Sequence, residues 1–272
     1  MPTAGLLGNI LTSTHNPRIK EISDLRKADY RRRSGLFIIE GYKELSLALK
    51  NGIAIKEIYL CLELSDKGKS DTLCKRIRNK AITIYEVSAK VYERIAFGNR
   101  LEGVVAVAAQ PSITLKDLKL SVHPLLVVLE HIEKPGNLGA ILRTADAAGV
   151  DAVIVTDEAC DLYNPNVVRA SVGTLFTMAV VKARAQELIP WLEQKHIQTI
   201  SGCVQAASAY TSVDFKKPSA IILGSEEKGL SVSWKEHADC QARIPMAGEA
   251  DSLNVSVAAG VLLFEAARQR NL

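Results

Sequence analysis

The chain lacks any apolar run approaching the roughly 20 residues that cross a bilayer, which predicts no membrane partner. Its first residues, MPTAGLLGNILTSTHNPRIK, carry no basic stretch followed by an apolar core, so secretion is not expected. The five cysteines show no CxxC spacing, and the five histidines form no HExxH or similar set. A metal site is therefore not expected, and an odd number of scattered thiols suits a reducing cytoplasm. No internal repeat or low-complexity tract interrupts the 272 residues. No GxGxG-type loop follows an early strand, which argues against a conventional Rossmann cofactor site. What is present, 47% hydrophobic and 24% charged residues, belongs to an ordinary globular chain that can bury a core.

Charge is unevenly spread. Residues 1–120 hold 21 Lys and Arg against 13 Asp and Glu, while residues 121–272 hold 13 against 17. A basic half joined to a mildly acidic one points to a polyanion, nucleic acid first, with Arg31, Arg32 and Arg33 as the densest cationic run. A lysine-rich solvated surface would produce the same balance.

The apolar pattern predicts two α/β regions. In the first, a basic helix precedes a strand at Leu36–Ile39 and a helix ended by Gly52. IKEIYLCLEL, AITIYEVS and EGVVAVAAQP read as further strands, with a polar helix near Asp71–Asn79. Residues 111–123, bounded by Pro111 and followed by Pro124, read as a linker between domains at 1–110 and 124–272. In the second region LLVVLE, AVIVTD, TMAVVKA, IQTISG, AIILG and CQARI suit a parallel sheet buried on both faces.

Three stretches concentrate polar groups at expected strand ends. In NLGAILRTADAAG, Asn137 can cap a helix whose apolar face is Leu138, Ile141, Leu142, Ala145 and Ala148. Arg143 projects away from that face, beside the end of a strand where ligands of parallel sheets bind. LGSEEKGL places Gly224, Glu226 and Gly229 after a buried strand, without Walker spacing. In IPMAGEADSLNVSVAAG a strand end breaks at Pro245 and a helix is expected from Leu253, with Ser252 as its cap. Singly, each has an ordinary structural explanation as cap, turn or solvated charge.

In order, the three stretches are similar to the three motifs of the SpoU/TrmH family of RNA ribose 2′-O-methyltransferases, within the SPOUT superfamily. The resemblance covers most of residues 124–270. FIIEGYKEL and EGVVAVAA resemble the smaller L30e-like substrate-binding domain that precedes the catalytic domain in many members. The resemblance implies an α/β SPOUT domain with a parallel sheet and a trefoil knot, and S-adenosylmethionine as cofactor. By that analogy Gly224, Ile244, Met246 and Leu253 contact the cofactor. Asn137, Arg143, Glu226, Ser252 and Asn254 match the polar catalytic set. It also implies a homodimer, for which the apolar face of VSVAAGVLLFEAARQR is the expected packing surface. The expected substrate is RNA, with 23S ribosomal RNA first and tRNA as the alternative. A guanidinium stays protonated in proteins, so Arg143 is expected to hold the flanking phosphate and orient the ribose. A fold retained for RNA binding alone, or a SPOUT enzyme acting on a base, is disfavoured by the intact motif set.

Overall fold

The computed structural model describes residues 10–78, 80–98, 101–157, 160–225 and 227–271, and divides the chain into two compact units. The first holds residues 1–111 and 162–176, the second 112–161 and 177–272.

The N-terminal part runs α1 (Pro17–Asp24), α2 (Ala28–Ser34), β1 (Leu36–Glu40), α3 (Tyr42–Lys50), β2 (Ile55–Leu60), α4 (Lys67–Ile77), β3 (Thr83–Glu86), α5 (Ala89–Ile95) and β4 (Val104–Ala109). The expected single basic helix is two, because the chain leaves helical geometry between Leu25 and Lys27. Four strands form one sheet in the order β1-β4-β2-β3, with β4 antiparallel to both neighbours and β3 parallel to β2. One sheet face supplies Ile38, Tyr59, Val105 and Val107 to a core closed by Ile19 and Ile22 of α1 and Val91 and Ile95 of α5. Arg31 belongs with the core rather than the surface. It is 1% exposed, and its Nη1 donates to Leu25 O at 2.7 Å. The expectation that Arg31 contacts RNA is therefore corrected. A cation in a run of three reads as solvated, but here the side chain is buried with its guanidinium on a backbone carbonyl. Arg32 and Arg33 are exposed.

The chain continues with β5 (Leu125–Glu130), α6 (Pro135–Ala147), β6 (Ala152–Thr156), α7 (Pro165–Ala170), β7 (Ala179–Ala183), α8 (Ala185–Gln194), β8 (Gln198–Gly202), β9 (Ser208–Ala209), β10 (Ser219–Leu223), α9 (Val232–His237), β11 (Cys240–Arg243) and α10 (Val255–Gln269). Seven strands make a wholly parallel sheet ordered β7-β6-β5-β10-β8-β11-β9. Every residue of β5, β6 and β10 is buried, as a sheet covered on both faces requires. On one face Leu126, Val128, Ile154 and Ile222 pack with Trp234, Leu188 and Leu192. The alternate residues turn to the other face, where α10 packs on α6 and β10. Residues 111–123 are not a free linker. Leu115, Leu118 and Leu120 lie against the Trp234 core, and Ser121 N donates to Asp151 Oδ1 at 2.8 Å.

Residues 162–176 leave the second unit and complete the first. Tyr163 and Phe176 flank Phe37 of β1, with ring centroids 4.7 and 5.9 Å away. Gly173 (φ 84°) lets this segment meet α3, since a Cβ there would lie 3.0 Å from Glu44 Cα. Among the described residues no helix is long and apolar enough to cross a membrane.

Candidate active site

In an open parallel sheet, ligands bind beyond the carboxyl ends of strands where the winding direction switches. Here β5 leads outward to β6 and β7, whereas β8, β10 and β11 lie on its other side. A cleft of about 420 Å³ opens at the carboxyl ends of β8, β10 and β11, within the size range of small-molecule sites. Its floor is apolar, with Leu223, Ile244, Met246, Leu253 and Leu262. Its walls are backbone at Gly202, Gly224 and Gly229.

The glycine at 224 has a steric cause. A Cβ there would lie 2.3 Å from Gly229 C and O and 2.6 Å from Leu230 N. The chain doubles back at that point, with Gly229 N donating to Ser225 O at 3.0 Å and Gly229 itself at φ 64°. Two further bonds fix the turn. Lys228 N donates to Ser225 Oγ at 3.0 Å, and Ser231 N donates to the buried Glu130 carboxylate at 2.7 Å. Thus the end of β5 holds the far end of the turn that follows β10.

A smaller cleft of about 110 Å³ adjoins the first, sharing Ser225, Glu227 and Val255 with it. Asn137 lines this second space, and Asn254 Nδ2 donates to Asn137 Oδ1 at 3.3 Å. Two expectations about caps need correction. α6 starts at Pro135, whose fixed φ suits the first helical position, so Asn137 stands inside the first turn. α10 starts at Val255, and its cap is Asn254, not Ser252. Asn254 Oδ1 accepts from Ser256 N at 3.0 Å, leaving its amide group for Asn137. Ser252, released from capping, is exposed and lines the larger cleft.

Gly224, Ile244, Met246 and Leu253 all line the larger cleft. Arg143 lies on the exposed side of α6, outside both clefts, and no hydrogen bond or ion pair holds it among the described residues. Glu226 lies outside the described residues. Sequence reasoning missed Gly202 and Glu130. A glycine closing an apolar strand run is the signal for the first, while a carboxylate at a strand end gives none for the second.

The donor set suits S-adenosylmethionine. Apolar side chains at three strand ends can cover an adenosine, and exposed Lys235 and Asp251 at the rim offer opposite charges to an amino-acid carboxylate and ammonium.

The SpoU rRNA Methylase family matches residues 124–264, and the MRM3-like substrate binding domain matches residues 16–106. An uncharacterised tRNA/rRNA methyltransferase of Synechocystis is 35% identical over 96% of this chain and 94% of its own length. The 23S rRNA (guanosine(2553)-2′-O)-methyltransferase of Bacillus subtilis is 27% identical over 93% of this chain and 97% of its own. Among solved structures, the AdoMet-bound rRNA methyltransferase of Sinorhizobium meliloti is 32% identical, with a TM-score of 0.89 over 97% of this chain and 98% of that one. With its catalytic-family match over more than half of its length and a relative at 35% identity along nearly all of it, the chain belongs to the SpoU rRNA methylase family.

Proposed function

We propose that this protein transfers a methyl group from S-adenosylmethionine to a ribose 2′-hydroxyl of 23S ribosomal RNA. The carrying observation is the apolar cleft at three strand ends, bordered by the bonded pair Asn137 and Asn254, in a chain of this family. The name of the Bacillus subtilis relative supports 23S RNA as the substrate.

S-adenosylmethionine supplies an electrophilic sulfonium methyl. What the chain must add is alignment of a weak nucleophile, and near-attack geometry can remove several kcal/mol of barrier. Asn137 and Asn254 fix each other beside the cleft, and Ser252 offers a hydroxyl at its edge. With Glu226 they form the set to which the ribose is expected to bind. Arg143 holds the flanking phosphate through its planar fork.

Because Arg143 lies outside its own clefts, a second copy is the natural recipient. α10 packs on α6 and leaves Val257 and Phe264, seven residues apart on one side, 51% and 52% exposed. This apolar row supports a homodimer in which the α6–α10 faces meet and each Arg143 serves the partner's cleft. The placement of β10 between β5 and the earlier strand β8, with the 244–254 loop then leading to α10, supports a trefoil knot in residues 124–272. A cytoplasmic location follows from the ribosomal substrate.

Nucleotide-resolution mapping of 2′-O-methyl marks in total RNA, with and without this protein, tests the reading. One mark in 23S RNA should disappear with the protein and return with it. Identical maps would overturn the proposal.

A further inference from the structure

Cations differ in whether the protein already uses them. Residues 16–34, covering α1 and α2, contain seven Lys and Arg. Six of them are engaged by neighbours. Arg18 pairs with Glu57, and Arg26 donates to the carbonyls of Arg94 and Ala96. Lys27 pairs with Asp24 at 2.7 Å, and Arg31 is buried on Leu25 O. Arg32 pairs with Asp29 at 3.3 Å, and Arg33 Nε donates to Asp29 O at 3.4 Å.

The balance differs on α3 and α4, where Arg76 is the one cation that makes a side-chain hydrogen bond among the described residues. Residues 67–80 contain six Lys and Arg against the single acid Asp71. On α3, positions 43, 46 and 50 share one side. On α4, positions 69, 72 and 76 share another, by the same three- and four-residue steps. The two sides face each other, because Arg76 Nη1 donates to Ser46 Oγ at 2.6 Å. Lys43, Lys50, Lys69 and Arg76 are all exposed there, and among the described residues none has an ion pair. The carboxylates of these helices lie elsewhere. Glu44 is buried, Asp66 caps α4 through Lys69 N at 2.9 Å, and Asp71 lies on the other flank of the helix.

Seven residues of helix span about 10.5 Å, and the Arg76–Ser46 bond joins the two rows into one positively charged face. Holding like charges together without acidic partners costs self-repulsion, and an anion laid across the face relieves it. We propose that this α3–α4 face, centred on Lys43, Lys50, Lys69 and Arg76, grips the phosphate backbone of the RNA substrate. The inference rests on the reading of the protein as an RNA methyltransferase. It moves the main RNA contact from the arginine run of α2 to a face that the run of charges alone does not single out.

Binding of the full-length protein to protein-free 23S RNA, followed between about 50 and 200 mM salt, reads the phosphate contacts. The variant Lys43→Gln/Lys69→Gln/Arg76→Gln should lose at least ~10-fold in affinity at about 100 mM salt. Its slope of log K against log salt should shrink by about 2, for three contacts at roughly 0.7 each. S-adenosylmethionine affinity should stay at its wild-type value, because none of the three residues lines the larger cleft. Unchanged affinity and slope, or a larger effect from Arg32→Gln/Arg33→Gln, would overturn the assignment. If the triple variant does not fold, lysine acetylation of the wild type decides instead. RNA should protect Lys43, Lys50 and Lys69 more than Lys20, and equal protection overturns it. A wild-type protein that neither binds nor methylates 23S RNA would instead sink the functional reading itself.

Discussion

Arg31 and Arg143 behave in opposite ways. Arg31 stands in a cationic run yet is buried, and Arg143 stands alone yet is open. Truncating Arg31 to alanine empties a core site and leaves Leu25 O without its donor. The expected cost is about 2–4 kcal/mol, the range of large-to-small core changes. Arg32→Ala should stay within about 0.5 kcal/mol, as surface substitutions do. Urea unfolding of both variants makes the comparison, and equal midpoints would return Arg31 to the surface. Arg143→Ala should fold normally and bind S-adenosylmethionine normally. Its single-turnover methyl transfer should fall at least ~100-fold if alignment is the principal lever. Arg143→Lys should recover little, since a point charge lacks the planar fork. Wild-type transfer in the alanine variant would remove Arg143 from the mechanism.

At the scale of elements, much of the catalytic unit is legible in the amino-acid sequence. The strands LLVVLE, AVIVTD and AIILG lie within a residue of where their apolar runs predict, because burial on both faces leaves little choice of period. The mouth of α10 is less legible. Ser252 and Asn254 are both good capping residues, and local preference cannot rank them. Packing decides, since Leu253 turns into the cleft and Val255 into the core, so the helix starts after both. Asn254→Ala should therefore cost about 1 kcal/mol through the lost cap. It should also remove the bond to Asn137 and slow methyl transfer. Ser252→Ala should leave stability nearly unchanged. Thermal unfolding of the two variants separates them, and an equal loss would contradict the capping geometry. In the sequence Gly224 is only a turn signal, whereas the 2.3 Å approach to Gly229 shows why no side chain fits.

At the scale of the molecule, periodicity identifies the strands but cannot say to which unit a loop's aromatics belong. The chain passes between its units after Pro111, after Asp161 and again after Phe176. A fragment beginning at residue 112 keeps Leu115, Leu118 and Leu120 on the Trp234 core but carries residues 162–176 without their partners. Leu162, Tyr163, Val167, Val168, Leu175 and Phe176 are all buried in the whole protein, and in that fragment Phe37 no longer covers Tyr163 and Phe176. Two aromatic side chains alone would expose on the order of 300 Å² or more of apolar surface. The expected result is a fragment that binds S-adenosylmethionine, because every residue lining the larger cleft lies between 202 and 262. It should also self-associate through the uncovered segment. Tyr163→Ser/Phe176→Ser in the fragment should suppress that association without changing cofactor affinity. In the full-length protein the same pair should instead destabilise the first unit. Calorimetry with S-adenosylmethionine and sedimentation on the two forms of the fragment provide the readouts. A folded fragment that gives no heat would remove the cofactor from this cleft, and one that stays dispersed without the serines would show that residues 162–176 find cover within the second unit.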